Sequence, residues 1–242
     1  MNAPRHAHVV NELGSRIVQQ SLPAGTVLPT EDELASRFSV GRSAVREGVK
    51  VLAGKGLLET RTSAGTRVRP RSSWNLLDAD VLRWRFALAD PADLRAVADL
   101  RVALEPGAAR LAAEAGELPA RRAVGMAMTD LWATVDDPDD QEAFVQADLA
   151  FHRAVFIAAG NDLLLHVHDA VEAALGAVRP LHTHSVTHNR ETLDIHEEVA
   201  ASIMRGHHRK AEMAMRLIVE GARADLLTSI ATENAETEKE AE

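Results

Sequence analysis

Residues Leu28 to Val68 constrain this chain more than any other stretch, because two short helical patterns meet at a tight turn and lead into a small hairpin. In Leu28-Pro29-Thr30-Glu31-Asp32-Glu33-Leu34-Ala35, Thr30 is an N-cap and Glu33, three residues on, completes a capping box, so a helix opens there. Ser39-Val40-Gly41 supplies the turn. A second helix follows from Arg42 to Leu52, with Val45, Val49 and Leu52 as its apolar positions and Arg42, Ser43, Arg46 and Lys50 on other faces. Leu57–Arg61 and Thr66–Arg69 then flank the turn-prone Thr62-Ser63-Ala64-Gly65. Together these patterns predict a winged helix-turn-helix. Its second helix would enter the major groove, where arginine bonds guanine bidentately and serine serves base or phosphate, while the basic hairpin follows the backbone.

Charge divides along the chain in the same way. Residues 1–70 hold ten Lys and Arg against six Asp and Glu, a net of +4, whereas the whole chain is −9 and the remainder therefore −13. A basic module on an acidic body implies that only the first third meets a polyanion. With 3% aromatic residues and no tyrosine, the chain lacks the stacking platforms that single-stranded nucleic acid requires, so duplex DNA is the expected target. The absence of cysteine excludes disulfides, iron–sulfur clusters and thiolate zinc sites, leaving nitrogen and oxygen as the only metal donors. No apolar run is long enough for a bilayer and the N-terminus lacks a signal-peptide core, so a soluble, cytoplasmic protein with no membrane partner is expected.

The character of the chain breaks at Pro70-Arg71-Ser72-Ser73, which sets the expected domains. These are a winged helix-turn-helix over 1–70, a linker with a short helix over 71–88, an all-helical body over 89–231, and a disordered acidic tail over 232–242. Within the body, helices are expected at about 91–116, 119–134, 139–159, 162–182, 189–205 and 207–230, and no segment alternates with period two. The fold class is thus mostly α, with an antiparallel helical bundle large enough to enclose a ligand cavity.

Two spacings in the bundle carry chemistry. Asp148 and His152 lie four apart, which puts a carboxylate beside an imidazole on one helix face, and His196 on a later helix would supply a third ligand from across the bundle. A helix ion pair or a hydrogen-bonded histidine explains the same spacing, and both readings stay open at this point. Arg101 and Glu105 repeat the spacing, for which an intrahelical salt bridge suffices.

The segments Leu28-Pro29-x-Glu31-x-x-Leu34-Ala35, Val40-x-Arg42-x-x-Val45-Arg46-Glu47, Gly56-Leu57 and Gly65-Thr66-x-Val68 resemble the DNA-binding domain of GntR-family bacterial repressors. That resemblance implies DNA contacts at Arg42, Arg46 and Gly65, with Ser43, Lys55 and Thr66 as further base or phosphate contacts. Asp32 departs from the pattern, since many relatives carry arginine there. Arg101-x-x-Leu104-Glu105, Asp148-x-x-Phe151-His152, Asn161-x-x-Leu164 and His196 resemble the FCD effector domain of the FadR-type subgroup, which implies effector binding and homodimerisation by the bundle. In the metal-binding branch of that subgroup an aspartate and three histidines hold a divalent cation. Asp148, His152 and His196 match three of these ligands, and Ile218 occupies the fourth position. Three protein ligands with open positions suit zinc, manganese or nickel. The other histidines in the same half of the chain, His166, His168, His182, His184, His188, His207 and His208, are expected at the surface or the cavity rim and are not taken as ligands.

The same resemblance makes Arg101, with Glu105, the effector-binding pair, its guanidinium clamping an anionic ligand. The Trp74–Trp84 segment is similar to that of sugar-acid catabolism regulators, so a small organic acid of the hexonate class is the expected effector. The function that follows is a ligand-responsive repressor of a catabolic operon. A homodimer would read a pseudo-palindromic operator in double-stranded DNA and leave it when effector binding favours a bundle conformation that misplaces the two DNA heads. Two other readings stand beside it: a regulator whose signal is the metal itself, and a metal-dependent hydrolase. The hydrolase is disfavoured because no nucleophile motif or phosphate loop accompanies the histidines.

Overall fold

The computed structural model describes residues 5–61, 65–88, 90–135, 141–176 and 186–240. They form two compact units, Met1–Ala89 and Asp90–Glu242.

The first unit contains α1 (Arg5–Val18), α2 (Glu31–Phe38), α3 (Arg42–Gly54), the strands β1 (Leu58–Arg61) and β2 (Gly65–Val68), a 3-10 turn at Arg71–Ser73, and α4 (Ala79–Phe86). The Thr30 hydroxyl accepts from the Glu33 amide while the Thr30 amide donates to the Glu33 carboxylate, so the capping box forms as expected. Ser39 ends α2 in a left-handed conformation at φ 53°, turning the chain into α3. The strands pair antiparallel from Leu58↔Val68 to Arg61↔Gly65, and Val27 adds a bridge to Arg67. Residues 62–64 of the expected wing tip lie outside the described residues. The core joins Leu34, Val45, Leu52, Leu57, Leu58 and Val68 to Val9, Leu13 and Ile17 of α1.

That first helix was not among the sequence expectations, although Val9, Val10, Leu13 and Ile17 recur at helical spacing and all are buried. The segment expected as a linker with a short helix over 71–88 carries α4 and lies within the first unit. Trp84 is buried against α1, and a Cβ on Gly14 would lie 2.3 Å from its ring, so only glycine permits the approach. Gly56 combines φ +78° with a similar constraint, since a Cβ there would meet the Ser73 carbonyl at 2.2 Å. Trp74 donates its indole N–H to the Arg69 carbonyl, and the Asn75 amide donates to that of Lys55. Large apolar side chains in this segment, absent from flexible linkers, are the physical reason it lies there.

The second unit is all α: α5 (Pro91–Ala115), α6 (Leu118–Thr134), α7 (Gln141–Ala158), α8 (Asp162–Gly176), α9 (Val186–Arg205) and α10 (His208–Glu240). Pro91 and Pro119 sit in first turns, where a missing N–H costs nothing. Helix α5 packs against α7, α9 and α10, α6 against α7 and α9, and α8 against α7. Small residues permit close packing, with Ala108, Ala109, Ala112 and Ala113 from α5 sharing a core with Ala211, Ala214 and Met215 from α10. Helix α10 continues to Glu240, through most of the segment expected as a tail, because no glycine or proline follows Gly221 to stop it. The expected extension of α8 to residue 182 falls on residues that are not described. Among the described residues, no helix is long and apolar enough to cross a membrane.

Candidate DNA-reading surface and effector site

Helix α3 exposes Arg42, Ser43, Arg46 and Lys50 along one side while burying Val45, Gly48 and Leu52. The first turn of α2 meets this exposed side with carboxylates. Arg42 Nε lies 3.1 Å from Asp32, and Arg46 Nη2 lies 2.9 Å from Glu31. The hydrogen bond from Arg46 holds the Glu31 carboxyl below its ordinary range. Asp32, which departs from the family pattern, is thus the ion-pair partner of Arg42. Gly65 opens β2 at φ +75°, exposed, and the Thr66 hydroxyl lies 3.3 Å from that of Thr60 across the hairpin.

Lys55 is placed differently from the expectation of a DNA contact. Its side chain is only 14% exposed, and its ammonium lies 2.7 Å from Asp78 and 2.9 Å from Asp80. Burial works against its charge, but these bonds outweigh it and raise the pKa. Both carboxylates come from the segment expected to be a linker, whose fold against α3 was not legible from spacing. Lys55 therefore clasps that segment to the C-terminal end of the recognition helix.

In the second unit, α5 supplies Arg101 and Glu105, α7 supplies Asp148 and His152, and α9 supplies His196. They form a continuous chain of charge. Arg101 Nε donates to Glu105 Oε1 at 2.5 Å, and Glu105 Oε2 lies 2.6 Å from His152 Nδ1 in a contact that is short but bent away from ideal hydrogen-bond alignment. His152 Nε2 lies 3.7 Å from Asp148 Oδ1, and His196 Nε2 lies 3.1 Å from the same oxygen. Phe151 packs edge-on against both imidazoles. Glu105, His152 and His196 are all buried, and the Asp148 carboxylate is the more open member.

Burial alone would neutralise these groups, but their mutual charges oppose it. Arg101 and His152 hold the Glu105 carboxyl far below the usual carboxylate range despite its burial. Asp148 is half-buried, which would raise its pKa, yet His152 and His196 hold it down to about 2. Burial disfavours the His152 imidazolium, and the facing carboxylates of Glu105 and Asp148 override that to raise its pKa.

The donor set fits a divalent cation. The Nδ1 of His196 lies 2.8 Å from the Thr192 carbonyl, which can only accept, so in the neutral ring this nitrogen carries the proton and Nε2 presents a lone pair. That lone pair is buried without a hydrogen-bond donor and faces a carboxylate oxygen. Two acceptors at 3.1 Å require a proton or a cation between them. His152 turns its Nδ1 to Glu105 and its Nε2 to Asp148, the carboxylate–histidine arrangement that orients metal ligands. One ligand atom from each of Asp148, His152 and His196 falls within 4.8 Å of the others. Ile218 is buried and apolar and offers no fourth donor.

Beside this cluster is a narrow cleft, partly open to solvent, with about 10 Å³ of free space. Leu100, Leu104, Phe156 and Val171 form its apolar walls, and Arg101, Glu105 and His168 its polar ones. Arg101 thus links cluster and cleft. The spacing of Arg101 and Glu105 was visible in the sequence, but the approach of Glu105 to His152 depends on α5 packing against α7, for which no local signal exists.

A winged helix-turn-helix followed by an all-helical bundle with a buried polar cluster is the architecture of a DNA-binding transcriptional regulator. Residues 5–68 match the gntR family of bacterial regulatory proteins, residues 96–221 match the FCD domain, and the chain belongs to this family. It is 30% identical over 203 residues to the uncharacterised HTH-type transcriptional regulator YieP of Escherichia coli K12, covering 81% of this chain and 84% of that protein. It is 34% identical over 171 residues to the galactonate operon transcriptional repressor of the same organism, covering 70% and 73%. A solved structure of Lar, described as controlling the Listeria monocytogenes agr system, superposes with a TM-score of 0.64 at 14% identity, covering 94% of this chain and 99% of that one. The curated relatives are named as transcriptional regulators, not enzymes, so the hydrolase reading is set aside.

Proposed function

We propose that this regulator is a repressor of a sugar-acid catabolic operon, released from its operator when a small anionic effector binds the bundle. The observation that carries this reading is the junction at Arg101, whose guanidinium borders both the cleft and the charge chain ending at Asp148, His152 and His196. A carboxylate entering there meets a fixed cation in a partly desolvated pocket, where paired hydrogen bonds are strongest. Asp148, His152 and His196 would hold a divalent ion, which supplies a second positive charge for the effector carboxylate and accepts oxygen at its open positions. The galactonate operon repressor among the relatives supports a polyhydroxylated acid as the ligand class.

On the DNA side, Arg42, Ser43, Arg46, Gly65 and Thr66 are the contacts this reading assigns, with Lys55 bracing the helix that carries three of them. A homodimer supplies the two recognition helices that a pseudo-palindromic operator needs, and the exposed Met213 and Leu217, one turn apart on α10, are apolar surface available for it. The convergence of Asp148, His152 and His196 also supports a second reading, in which the cation itself is the signal.

One titration separates the two. Fluorescence anisotropy of the duplex upstream of the regulator's own gene is followed with metal-stripped protein, then with zinc, with galactonate, and with both. Release by galactonate, lost in Arg101→Ala, supports the effector reading. If zinc alone changes DNA affinity and none of a panel of sugar acids does, the metal-sensor reading replaces it.

A further inference from the structure

Lys55 stands where the recognition helix ends and the wing begins, as the C-cap of α3 and three residues before Leu58 opens β1. Its ammonium bonds both oxygens of Asp78, at 2.7 and 2.8 Å, and one oxygen of Asp80 at 2.9 Å. Its carbonyl also accepts from the Asn75 amide at 2.9 Å. Side chain and main chain of one residue are thus tied to the segment between the wing and α4.

Neither carboxylate is loosely held. Asp78 Oδ1 caps α4 by accepting from the Asp80 and Val81 amides. Asp80 Oδ1 accepts from Arg83 at 2.7 Å, and the same guanidinium reaches Asn11 of α1. Val81 and Trp84 of α4 are buried in the core that α1 and α3 share. Asp78 and Asp80 therefore connect the end of α3 to a helix that is itself anchored. The charges of Lys55 and Arg83 cancel those of the two aspartates, so the cluster offers little attraction to phosphate. What it fixes is where α3 stops and the hairpin starts, and bidentate base contacts tolerate only small errors in that placement.

We propose that Asp78 and Asp80 are positioning residues for operator reading, acting through Lys55 to hold α3 and the wing in one fixed relation, so that the DNA-reading unit extends through α4. This rests on the reading above that α3 enters the major groove. It reverses the sign expected from charge alone. Removing acids from a DNA-binding unit lowers its repulsion of phosphate and should strengthen binding to any duplex. Loss of a positioning contact weakens binding, and weakens it for the chosen sequence more than for others.

Selection of duplexes from a randomised pool by the full chain supplies an operator, and anisotropy against that duplex and a scrambled one of equal length tests the proposal. Asp78→Asn combined with Asp80→Asn removes both charges, while asparagine can still cap α4. This double variant is expected to lose at least about fivefold in affinity for the selected duplex and nothing for the scrambled one. Adding Lys55→Met leaves the site uncharged, so the triple variant avoids a stranded ammonium and decides the matter if the double one fails to fold. It should show the same loss, with the parent's slope of log affinity against log salt. Unchanged or higher affinity of a folded variant for the selected duplex, or equal loss on both duplexes, overturns the proposal. So does a salt slope reduced by about one in the triple variant, since Lys55 would then be a phosphate contact. Failure of both variants to fold in a thermal melt reduces the two aspartates to scaffold and overturns it as well. Arg46→Ala separates the two readings. If it weakens the selected duplex while the folded variants do not, only this inference falls. If it binds as the parent does, or the parent selects no duplex, the assignment of α3 to DNA falls and this inference with it.

Discussion

Two arginine–carboxylate pairs of nearly the same chemistry serve opposite purposes in this chain. Arg46 and Glu31 bridge α3 and α2 with side chains 62% and 42% exposed, whereas Arg101 and Glu105 sit on one helix at 21% and 3%. Water competes for the first pair and screens it, so the pair holds an arginine in place without committing it. The second has lost its water, and Glu105 is committed further to His152. An exposed pair can be exchanged for a phosphate or a base at little cost. A buried pair becomes part of the frame, because removing one member strands the other.

The largest effect that follows is on Glu105. Glu105→Ala leaves Arg101 and His152 facing each other without the intervening negative charge, and breaking a buried pair in this way costs about 3–5 kcal/mol. Calorimetric unfolding of the full chain should show the effector unit's transition lowered by that amount. A loss below about 1 kcal/mol would show that solvent reaches Glu105 and that the contrast between the pairs is one of degree.

Arg46→Ala probes the other side. If Arg46 contacts a base as proposed, its removal should weaken operator binding by roughly tenfold to a hundredfold, read by anisotropy at fixed salt. Its thermal midpoint should stay within about 2 °C of the parent, as for most exposed substitutions. Undiminished operator affinity would remove Arg46 from the reading surface and with it the idea that the exposed pair is held in reserve.

The same contrast explains what was legible in the sequence. Capping at Thr30, the Ser39 turn and the exposed face of α3 are set by neighbours within one or two helical turns, so spacing reveals them. The Arg101–Glu105 and Asp148–His152 pairs are local in the same sense. Glu105 against His152 brings together different helices, and periodicity does not say which faces meet, whereas the approach of His196 to Asp148 was expected through the family resemblance. The pairing of Lys55 is non-local in the same way, since a cationic residue near a recognition helix reads as a phosphate ligand and spacing does not show Asp78 and Asp80 folding back onto it. The α1 helix was a different kind of miss, because its apolar stripe is as regular as that of α3 and needed only to be counted.

The smallest effect is also the sharpest test of what an exposed pair does. Glu31→Gln deletes the carboxylate that holds Arg46, and with it a negative charge beside the exposed arginines of α3. If the pair is only a holding contact, the free arginine costs less to transfer to DNA, and affinity should rise by a few-fold at low salt. The gain should shrink as salt is added, because both the repulsion removed and the phosphate attraction are screened. Stability should change by no more than about 2 °C in thermal midpoint. A fall in affinity would mean that Glu31 aims Arg46 at its base, a bracing role like that of Glu105 toward Arg101, and burial would then not be what separates the two pairs.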